Sequence, residues 1–419
     1  MHRFIFLLLA CLALAAGPFA RAQTQPDTAQ PNTAQPDSEL LSLSWKQIEE
    51  QARGGEVTFF LWGGSDAINR YVSGYIGGIL RERYDITLRR VGISDTAAAV
   101  NIVLGEKQAG VREGGAVDLI WINGENFRTM KQAGLVFCGY QEKLPNNRLV
   151  NWDNPSIAND FGVPVAGCST PWSKVQFAFA YDQARLSDPP RSMAALLDWI
   201  KANPGQFTYP APPDFNGSVF VRHVFYHVAG GPDQLLGPFD QQKFDRVAEK
   251  TWALLKGLEP YLWRQGRTYP TSVQALEQLY ANSEVALVFN YEPASVGVFI
   301  ENGSFPPTSK GYGLSDGTIG NTNYTVIPFN SPNKAAALVV QNLLLSAEAQ
   351  YEKARPEIWG AQPVIETDRT APQMQAKFAA LKQHPAVVPA AELARNALPE
   401  LQASWIAAIE KGWLANVGN

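Results

Sequence analysis

The stretch from Glu56 to Asp66 constrains the fold of this chain more than any other part of its sequence. Val57 to Trp62 is a short run of β-branched and aromatic residues without polar alternation, which is typical of a parallel strand covered on both faces. Gly63 and Gly64 follow, and glycine lets the backbone turn tightly and approach a ligand closely. The stretch therefore predicts a buried parallel strand that ends in a loop open to a ligand.

A helix is expected directly after this loop. Apolar side chains recur at helical spacing from Ile68 to Leu80, and a serine and an aspartate precede them as candidate N-caps. In open α/β sheets, ligands bind beyond the carboxyl ends of the strands, where free N–H groups at a helix start attract polar groups. The candidate ligand contacts in this loop are Trp62, Gly63, Gly64, Ser65 and Asp66.

The first 22 residues have the composition of a secretory signal peptide. Arg3 gives a positive start, Phe4 to Ala16 is the apolar run, and Ala20 to Ala22 is a small-x-small cleavage site. We expect cleavage after Ala22 and a periplasmic location, with lipidation at Cys11 as the open alternative. No later run approaches the roughly 18 apolar residues of a membrane span.

A segment at residues 23–41 is expected to be a disordered leader. Within it, residues 25–39 form three copies of a five-residue unit that begins with Gln-Pro. Proline and small polar residues of this kind bury too little apolar surface to form a core. The remaining length exceeds one ordinary hydrophobic core, so we expect two folded domains.

The charge of the mature chain excludes one class of partner. Loss of Arg3 and Arg21 reduces the 35 basic residues to 33, against 39 acidic residues, for a formal charge of −6. An acidic chain of this kind is not expected to bind nucleic acid or an acidic membrane surface.

The cysteines and histidines point to a structural crosslink and not to a metal site. Cys138 and Cys168 remain after cleavage, and an even count in an oxidising compartment predicts a disulfide, with two buried thiols as the open alternative. His223 and His227 have the i, i+4 spacing of a metal face, but no third ligand is placed nearby and their neighbours are apolar. We expect no metal and no cofactor.

Strands and helices alternate after the opening strand. Asp85 to Val91 and Val117 to Ile122 read as further strands, each followed by a helix, and this alternation predicts a parallel sheet with helices on both faces. The last of these strands also ends in a polar glycine loop. Its candidate ligand contacts, on the same rim as the first loop, are Asn123, Gly124 and Glu125.

The second half of the chain predicts another α/β domain. The strand Val175 to Tyr181 leads into it, and a strand end at Asn290 to Pro293 is expected to lead back out. The first domain would then comprise residues 42–172 together with 292–419, and the second residues 173–291. Helices near the C-terminus are expected to pack on the outside of the first domain.

These features together resemble the extracytoplasmic solute-binding proteins of ABC importers. The resemblance rests on the signal peptide, the Trp62-Gly63-Gly64 loop, the segment Asp118 to Phe127, the Pro171-Trp172 approach to the crossover, Asp214 to Ser218, and Asn290 to Pro293. It implies the type II periplasmic-binding-protein fold, with two α/β lobes joined by a double-crossover hinge.

The resemblance also implies a function and a set of contact residues. Such proteins are not enzymes; their two lobes close on a small solute and deliver it to ABC permease subunits in the inner membrane, and we expect a monomer. Beyond the two loops already named, the implied contacts are Trp172 before the crossover, Asn216 and Ser218 at a helix start whose N–H groups face the solute, and Tyr291 and Glu292 at the return crossover.

The residue types on the expected rim favour one kind of solute. They supply aromatic faces and carboxylates but no arginine, which suits an organic cation or a polyol better than an anion. The rival hypothesis is an exported hydrolase, such as a glycosidase using two cleft carboxylates. No Gly-x-Ser-x-Gly or His-Glu-x-x-His motif supports that rival.

Overall fold

The computed structural model describes residues 35–418. The predicted signal peptide and most of the predicted leader lie outside the described residues. Within this part of the chain, the strands are β1 Glu56–Trp62, β2 Thr87–Ile93, β3 Leu119–Ile122, β4 Asn159–Asp160, β5 Val163–Pro164, β6 Thr170–Gln176, β7 Ala178–Asp182, β8 Leu287–Asn290, β9 Ser309–Tyr312, β10 Thr318–Val326 and β11 Ala397–Leu398.

Helices surround these strands. They are α1 Gln35–Ser42, α2 Trp45–Ala52, α3 Asp66–Arg70, α4 Gly77–Tyr84, α5 Ala97–Gln108, α6 Gly124–Gln132, α7 Pro155–Ala158, α8 Met193–Ala202, α9 Phe215–Ala229, α10 Gln241–Leu258, α11 Val273–Ala281, α12 Ser295–Glu301, α13 Lys334–Leu344, α14 Ala347–Ala354, α15 Pro372–Ala380, α16 Ala390–Arg395 and α17 Ala403–Asn416. A π-helical turn, Tyr71–Ile76, joins α3 to α4.

The opening strand β1 lies inside the first sheet, next to its edge strand β2. It pairs in parallel with β2 on one side and β3 on the other, and the full strand order is β11-β10-β3-β1-β2, with β6 paired to β10. Phe59 of β1 belongs to the hydrophobic cluster on one face of the sheet, and Phe60 belongs to the cluster on the other. Because each buried side chain of this size contributes about 1.5–3 kcal/mol, β1 anchors the sheet, as its sequence predicts.

A second sheet lies in the middle of the chain, with the order β8-β7-β9. Both outer strands are antiparallel to β7. We call the first sheet with its two clusters lobe 1, and the second sheet with its own large cluster lobe 2. The structure therefore confirms the type II fold with two α/β lobes.

Two crossings connect the lobes. The first runs from β6 to β7 through Phe177, where the sequence predicts one continuous strand from Val175 to Tyr181. The second is displaced from the prediction: after Asn290 the chain forms α12 and then β9, which pairs with β7 and so stays in lobe 2. The return lies between Tyr312 and Thr318. The prediction missed β9 because Ser309–Tyr312 has little β-branched content.

The C-terminal helix belongs to lobe 2, which corrects the assignment of the whole C-terminal region to lobe 1. Trp405, Ile406, Ile409 and Trp413 of α17 are buried in the lobe 2 cluster. Periodic apolar residues predict that a helix has a buried face, but not which lobe covers that face.

The end of the predicted leader is also folded. Helix α1 includes residues expected to be disordered, and Leu40 is buried against lobe 1. Lys334 of α13 lies 2.5 Å from the carboxylate of Asp37. Apolar contacts of Leu40 and Leu41 and the ion pair of Asp37 thus hold a segment whose composition alone predicts no core.

Cys138 and Cys168 are joined by a disulfide in this structure, with Cα atoms 4.1 Å apart. The bond closes a loop with a sequence separation of 30. This loop contains the β4–β5 hairpin and α7, and it ends directly before β6. Separately, none of the helices within residues 35–418 is both long and apolar enough to cross a membrane.

Replacement of both cysteines tests the contribution of this crosslink. Cys138→Ser with Cys168→Ser should lower the free energy of unfolding by about 3 kcal/mol, because the unfolded chain regains the entropy of the open loop. Urea denaturation monitored by circular dichroism measures the loss, with the wild type in reducing buffer as the matched control. Equal stability in oxidising and reducing buffer would contradict the prediction.

Candidate functional site

Three adjacent loops at the carboxyl ends of β1, β2 and β3 each carry an exposed carboxylate. The residues are Asp66, Asp95 and Glu125. Since the three strands are parallel neighbours, their carboxyl ends share one edge of the sheet. Sequence analysis placed Asp66 and Glu125 on this rim but missed Asp95, which follows β2 in the same way.

The loop after β1 touches lobe 2. The carbonyl oxygen of Gly64 accepts a hydrogen bond from Nε2 of Gln274 at 3.5 Å. A Cβ built at Gly64 would lie 2.3 Å from the Trp62 ring and 2.4 Å from that same nitrogen. Gly64 is therefore the position at which the absence of a side chain permits the two lobes to meet, and the partly exposed Trp62 lies beside it.

Other candidate residues of these loops hold the loops in shape. Ser65 caps α3 by accepting from the backbone N–H of Ile68 at 3.4 Å, and Gly63 donates to the backbone of β2 at 3.0 Å. Asn123 donates from Nδ2 to the carbonyl of Thr322 at 2.6 Å. The buried Gly124 has a positive φ of 62° and donates to Asp160 at 3.0 Å.

The start of α9 in lobe 2 is already hydrogen-bonded. Oδ1 of Asp214 accepts from the backbone N–H groups of Asn216 and Gly217, both at 2.9 Å, and the N–H of Ser218 donates to the Asp214 carbonyl at 2.8 Å. Asn216 accepts from the backbone of Tyr291 at 2.8 Å. This corrects the expectation that these N–H groups are free to face a solute.

Further along α9, Arg222 is at the centre of a buried ionic network. Arg222 is 1% exposed, and its guanidinium lies 2.9 Å from the carboxylate of Glu400. Tyr291 donates its hydroxyl to Glu400 at 2.7 Å. Burial lowers the pKa of Arg222, but Glu400, Tyr291 and Glu410 together more than offset this effect, so the pKa stays above its ordinary value. Arg222 is therefore charged and already neutralised by one carboxylate.

Ser218 extends this network to the C-terminal helix. Its hydroxyl donates to Glu410 at 2.5 Å and accepts from Arg222 at 2.7 Å. Sequence analysis missed Arg222, Glu400 and Glu410. Arg222 was detectable because it stands four residues after Ser218, on the same helix face, but nothing in the sequence places Glu400 and Glu410 beside α9.

Two further carboxyl groups, Glu277 of α11 and Glu292 after β8, lie beside Asn290 at the end of β8. Asn290 donates from Nδ2 to Glu277 at 2.6 Å, and its Oδ1 accepts from the backbone of Glu292 at 2.8 Å. Burial raises the pKa of Glu277 to about 7, opposed by the hydrogen bond from Asn290. Burial likewise raises the pKa of Glu292 to about 8, opposed by the nearby Lys353 of lobe 1.

Trp172 is not available to a solute, which corrects its inclusion among the expected contacts. Its side chain is 0% exposed and packs in the lobe 1 core. The Trp172 ring centroid lies 4.9 Å from that of Trp121 and 5.3 Å from that of Trp359. Tyr291 is also buried, and it serves the ionic network. The aromatic residue that lobe 2 does present is Phe215, which is 40% exposed at the start of α9.

The two histidines of α9 have different environments. His223 is buried, donates from Nδ1 to the carbonyl of Val219 at 2.8 Å, and accepts on Nε2 from the backbone of Ile319 at 3.0 Å. Burial lowers its pKa to about 3. His223 thus connects α9 to the first residues of β10, while His227 is exposed.

The architecture is that of type II periplasmic binding proteins. Two α/β lobes are joined by two crossings, and lobe 1 carries acidic loops at its strand ends. Solved structures agree. The TpPotD lipoprotein of Treponema pallidum superposes with a TM-score of 0.62 at 12% identity, covering 87% of this chain and 100% of that protein. PotD of Streptococcus pneumoniae, a spermidine/putrescine ABC transporter substrate-binding protein, gives 0.60 at 14% identity, covering 86% and 98%.

Sequence comparison gives the family. Residues 80–383 match the model of the bacterial extracellular solute-binding proteins, and the chain is 37% identical over 374 residues to protein YnjB of Escherichia coli (strain K12), covering 89% of this chain and 94% of that protein. This chain belongs to the bacterial extracellular solute-binding protein family. It is the substrate-binding component of an ABC importer, and its family is one of transport receptors rather than of hydrolases.

Removal of Arg222 tests the buried network. Arg222→Met should lower the free energy of unfolding by about 3–5 kcal/mol, because Glu400 is left buried without its partner. Adding Glu400→Gln to that variant should recover part of the loss, since no uncompensated charge then remains. Chemical denaturation of the wild type, of Arg222→Met, of Glu400→Gln and of the double variant measures the coupling. If the loss of unfolding free energy in the double variant equals the sum of the losses in the two single variants, the predicted coupling is absent.

The raised pKa of Glu277 makes stability depend on pH. The native state keeps a proton that the unfolded chain loses above its ordinary pKa of 4.5, so the free energy of unfolding should fall as the pH rises from about 5 to 7. Glu277→Gln should flatten this fall by on the order of 2 kcal/mol. Urea titrations across that range measure it, with Glu249→Gln on the exposed side of α10 as control. Identical profiles for the two variants would refute the prediction.

Proposed function

We propose that this receptor captures a small organic cation between its lobes and delivers it to the permease of its importer. The observation that carries the proposal is the sign of the charges that the two lobes present to each other. Lobe 1 supplies Asp66, Asp95 and Glu125 at three strand ends, and lobe 2 supplies carboxyl groups at the start of α9 and at the end of β8.

Two positive charges near these groups already have partners. Arg222 is paired with Glu400. Lys353 is fully buried in lobe 1, where it donates to the carbonyl of Trp172, and its ammonium lies 5.6 Å from the Trp359 ring centroid. Arg222 and Lys353 are therefore not available to an anionic solute, whereas a cation would find the exposed carboxylates of lobe 1.

Aromatic faces support the same choice. Trp62 of lobe 1 is partly exposed beside Gly64, and Phe215 of lobe 2 is exposed at the start of α9. An aromatic face attracts a cation by about 0.5–2 kcal/mol. We infer that Trp62 and Phe215 cover the apolar parts of the solute, while Asp66 and Glu125 select its charge. Burial raises the pKa of Glu292 to about 8, so this group would lose its proton when the cation binds beside it. PotD, whose name states a polyamine, shares the fold, which is consistent with a cationic solute here.

The proposal extends to transport. A cation held between the lobes would bring them together through motion at the two crossings. The permease would then recognise the closed form by its altered surface, as the family function requires of a substrate-binding component.

A solute screen by thermal shift tests this function. Organic cations should raise the melting temperature, since a ligand at a thousand times its Kd stabilises the protein by about 4 kcal/mol. Glu125→Gln should weaken binding of the best cation by about 10- to 100-fold, as expected for loss of one charged hydrogen-bond partner. Glu249→Gln is the matched control and should bind like the wild type. If only polyols or anions raise the melting temperature, the proposed charge selection is wrong.

A further inference from the structure

The C-terminal helix α17 is fixed to lobe 2 by its apolar side. Trp413 donates from its indole N–H to the hydroxyl of Tyr209 at 3.1 Å, and Trp405 donates to the carbonyl of Gly237 at 3.1 Å. Both indoles are buried. The helix therefore moves with lobe 2 whenever the lobes move relative to each other.

The other side of α17 meets lobe 1. It packs against α6, the helix that Glu125 opens. Just before α17, the side chain of Gln402 lies so close to the β4–β5 turn that a Cβ built at Gly162 would be 2.5 Å from it. Near Phe161 of this turn stands Phe215, with ring centroids 6.2 Å apart. This side of the helix is thus a contact surface between the lobes.

Glu410 is the acidic residue that α17 brings to this surface. Its carboxylate is held by the Ser218 hydroxyl at 2.5 Å, and Arg222 holds that hydroxyl in turn. Glu125 of lobe 1 and Glu410 lie close enough to raise each other's energy when both are ionised. Burial is the main cause that raises the pKa of Glu410 to about 7, and the charge of Glu125 adds to it.

Asp160 provides an independent indication that a positive charge belongs here. It is 1% exposed, and its Oδ1 accepts from the backbone of Gly124 next to Glu125. Its Oδ2 has no hydrogen-bond partner among residues 35–418. A buried polar oxygen without a partner is unfavourable by about 1–3 kcal/mol. Burial raises the pKa of Asp160 well above its ordinary value, and a cation beside Glu125 would favour its charged form.

We propose that Glu410 of α17 and Glu125 of α6 form a two-carboxylate clamp that holds the positively charged group of the solute and makes closure depend on it. The clamp rests on the proposed function. Without a cation, the like charges of Glu125, Glu410 and Asp95 oppose closure, since Arg222 is paired with Glu400. With a cation between them, the same carboxylates draw lobe 1 and α17 together.

A lysine in lobe 1 should replace the solute's charge. Glu125→Lys is suitable because Glu125 is exposed and no side-chain hydrogen bond of lobe 1 is lost with it. Ligand-free Glu125→Lys should be more compact than the ligand-free wild type by small-angle scattering, and as compact as the wild type saturated with the best cation of the screen. It should bind that cation at least about 30-fold more weakly.

The second charge reversal should undo the first. Glu125→Lys with Glu410→Lys again places like charges across the surface and should be as open as the ligand-free wild type. Glu392→Lys, the same charge change at an exposed position of α16, is the control and should leave the scattering unchanged. Because Glu410→Lys also stands near Arg222, circular dichroism checks the fold of that variant. Glu410→Gln accompanies it and should weaken cation binding, while the loss of one like charge should leave the ligand-free protein no more open than the wild type.

The outcomes separate the clamp from the proposed function. If Glu125→Lys scatters like the open wild type, or compacts no more than Glu392→Lys, the clamp is wrong. Retention of wild-type cation affinity by Glu410→Gln would also overturn it. If a neutral or anionic solute closes the wild type and no cation does, the proposed function fails, whereas ligand-free compaction of Glu125→Lys alone would still support attraction between α6 and α17.

Discussion

The antiparallel pairing of β6 with β10 is the interaction on which the two-lobed structure depends. Both strands pass from one lobe to the other, and they are hydrogen-bonded along Gln176↔Gly320 to Thr170↔Thr325. Beyond them, Phe177 donates to the carbonyl of Ile319 at 2.9 Å. This ladder fixes how the lobes are joined, and it leaves the carboxyl ends of β1, β2 and β3 on the side where lobe 2 begins.

The charges on the facing surfaces follow from that arrangement. Parallel strands place Asp66, Asp95 and Glu125 on one edge, and the crossing strands bring the start of α9 and the end of β8 opposite to them. Lobe 2 uses most of its polar groups internally, since Asp214 caps α9 and Glu400 neutralises Arg222. What remains between the lobes is an excess of carboxyl groups, and this excess, rather than any single residue, is the basis of the proposed selection of a cation.

Local sequence signals predicted the elements whose structure depends on a few neighbouring residues. The run Val57 to Trp62 is a strand, and Ser65 caps the following helix, because burial on two faces and a cap each leave a mark over a few residues. Contacts between distant segments have no such local sequence pattern. Trp172 stands at a predicted approach to the cleft, yet its ring is buried against Trp121 and Trp359, since aromatic side chains fill cores as readily as they cover ligands.

The sequence by itself determined the α/β class, the buried opening strand and two of the three acidic strand-end loops of lobe 1, because periodicity, glycine position and residue charge are local properties. Only the tertiary structure decided that β9 delays the return to lobe 1, that α17 packs on lobe 2, and that Arg222 meets Glu400 across 178 residues of chain. Those pairings join segments of similar composition that have several possible partners, and the free energy of packing the whole chain selects among them.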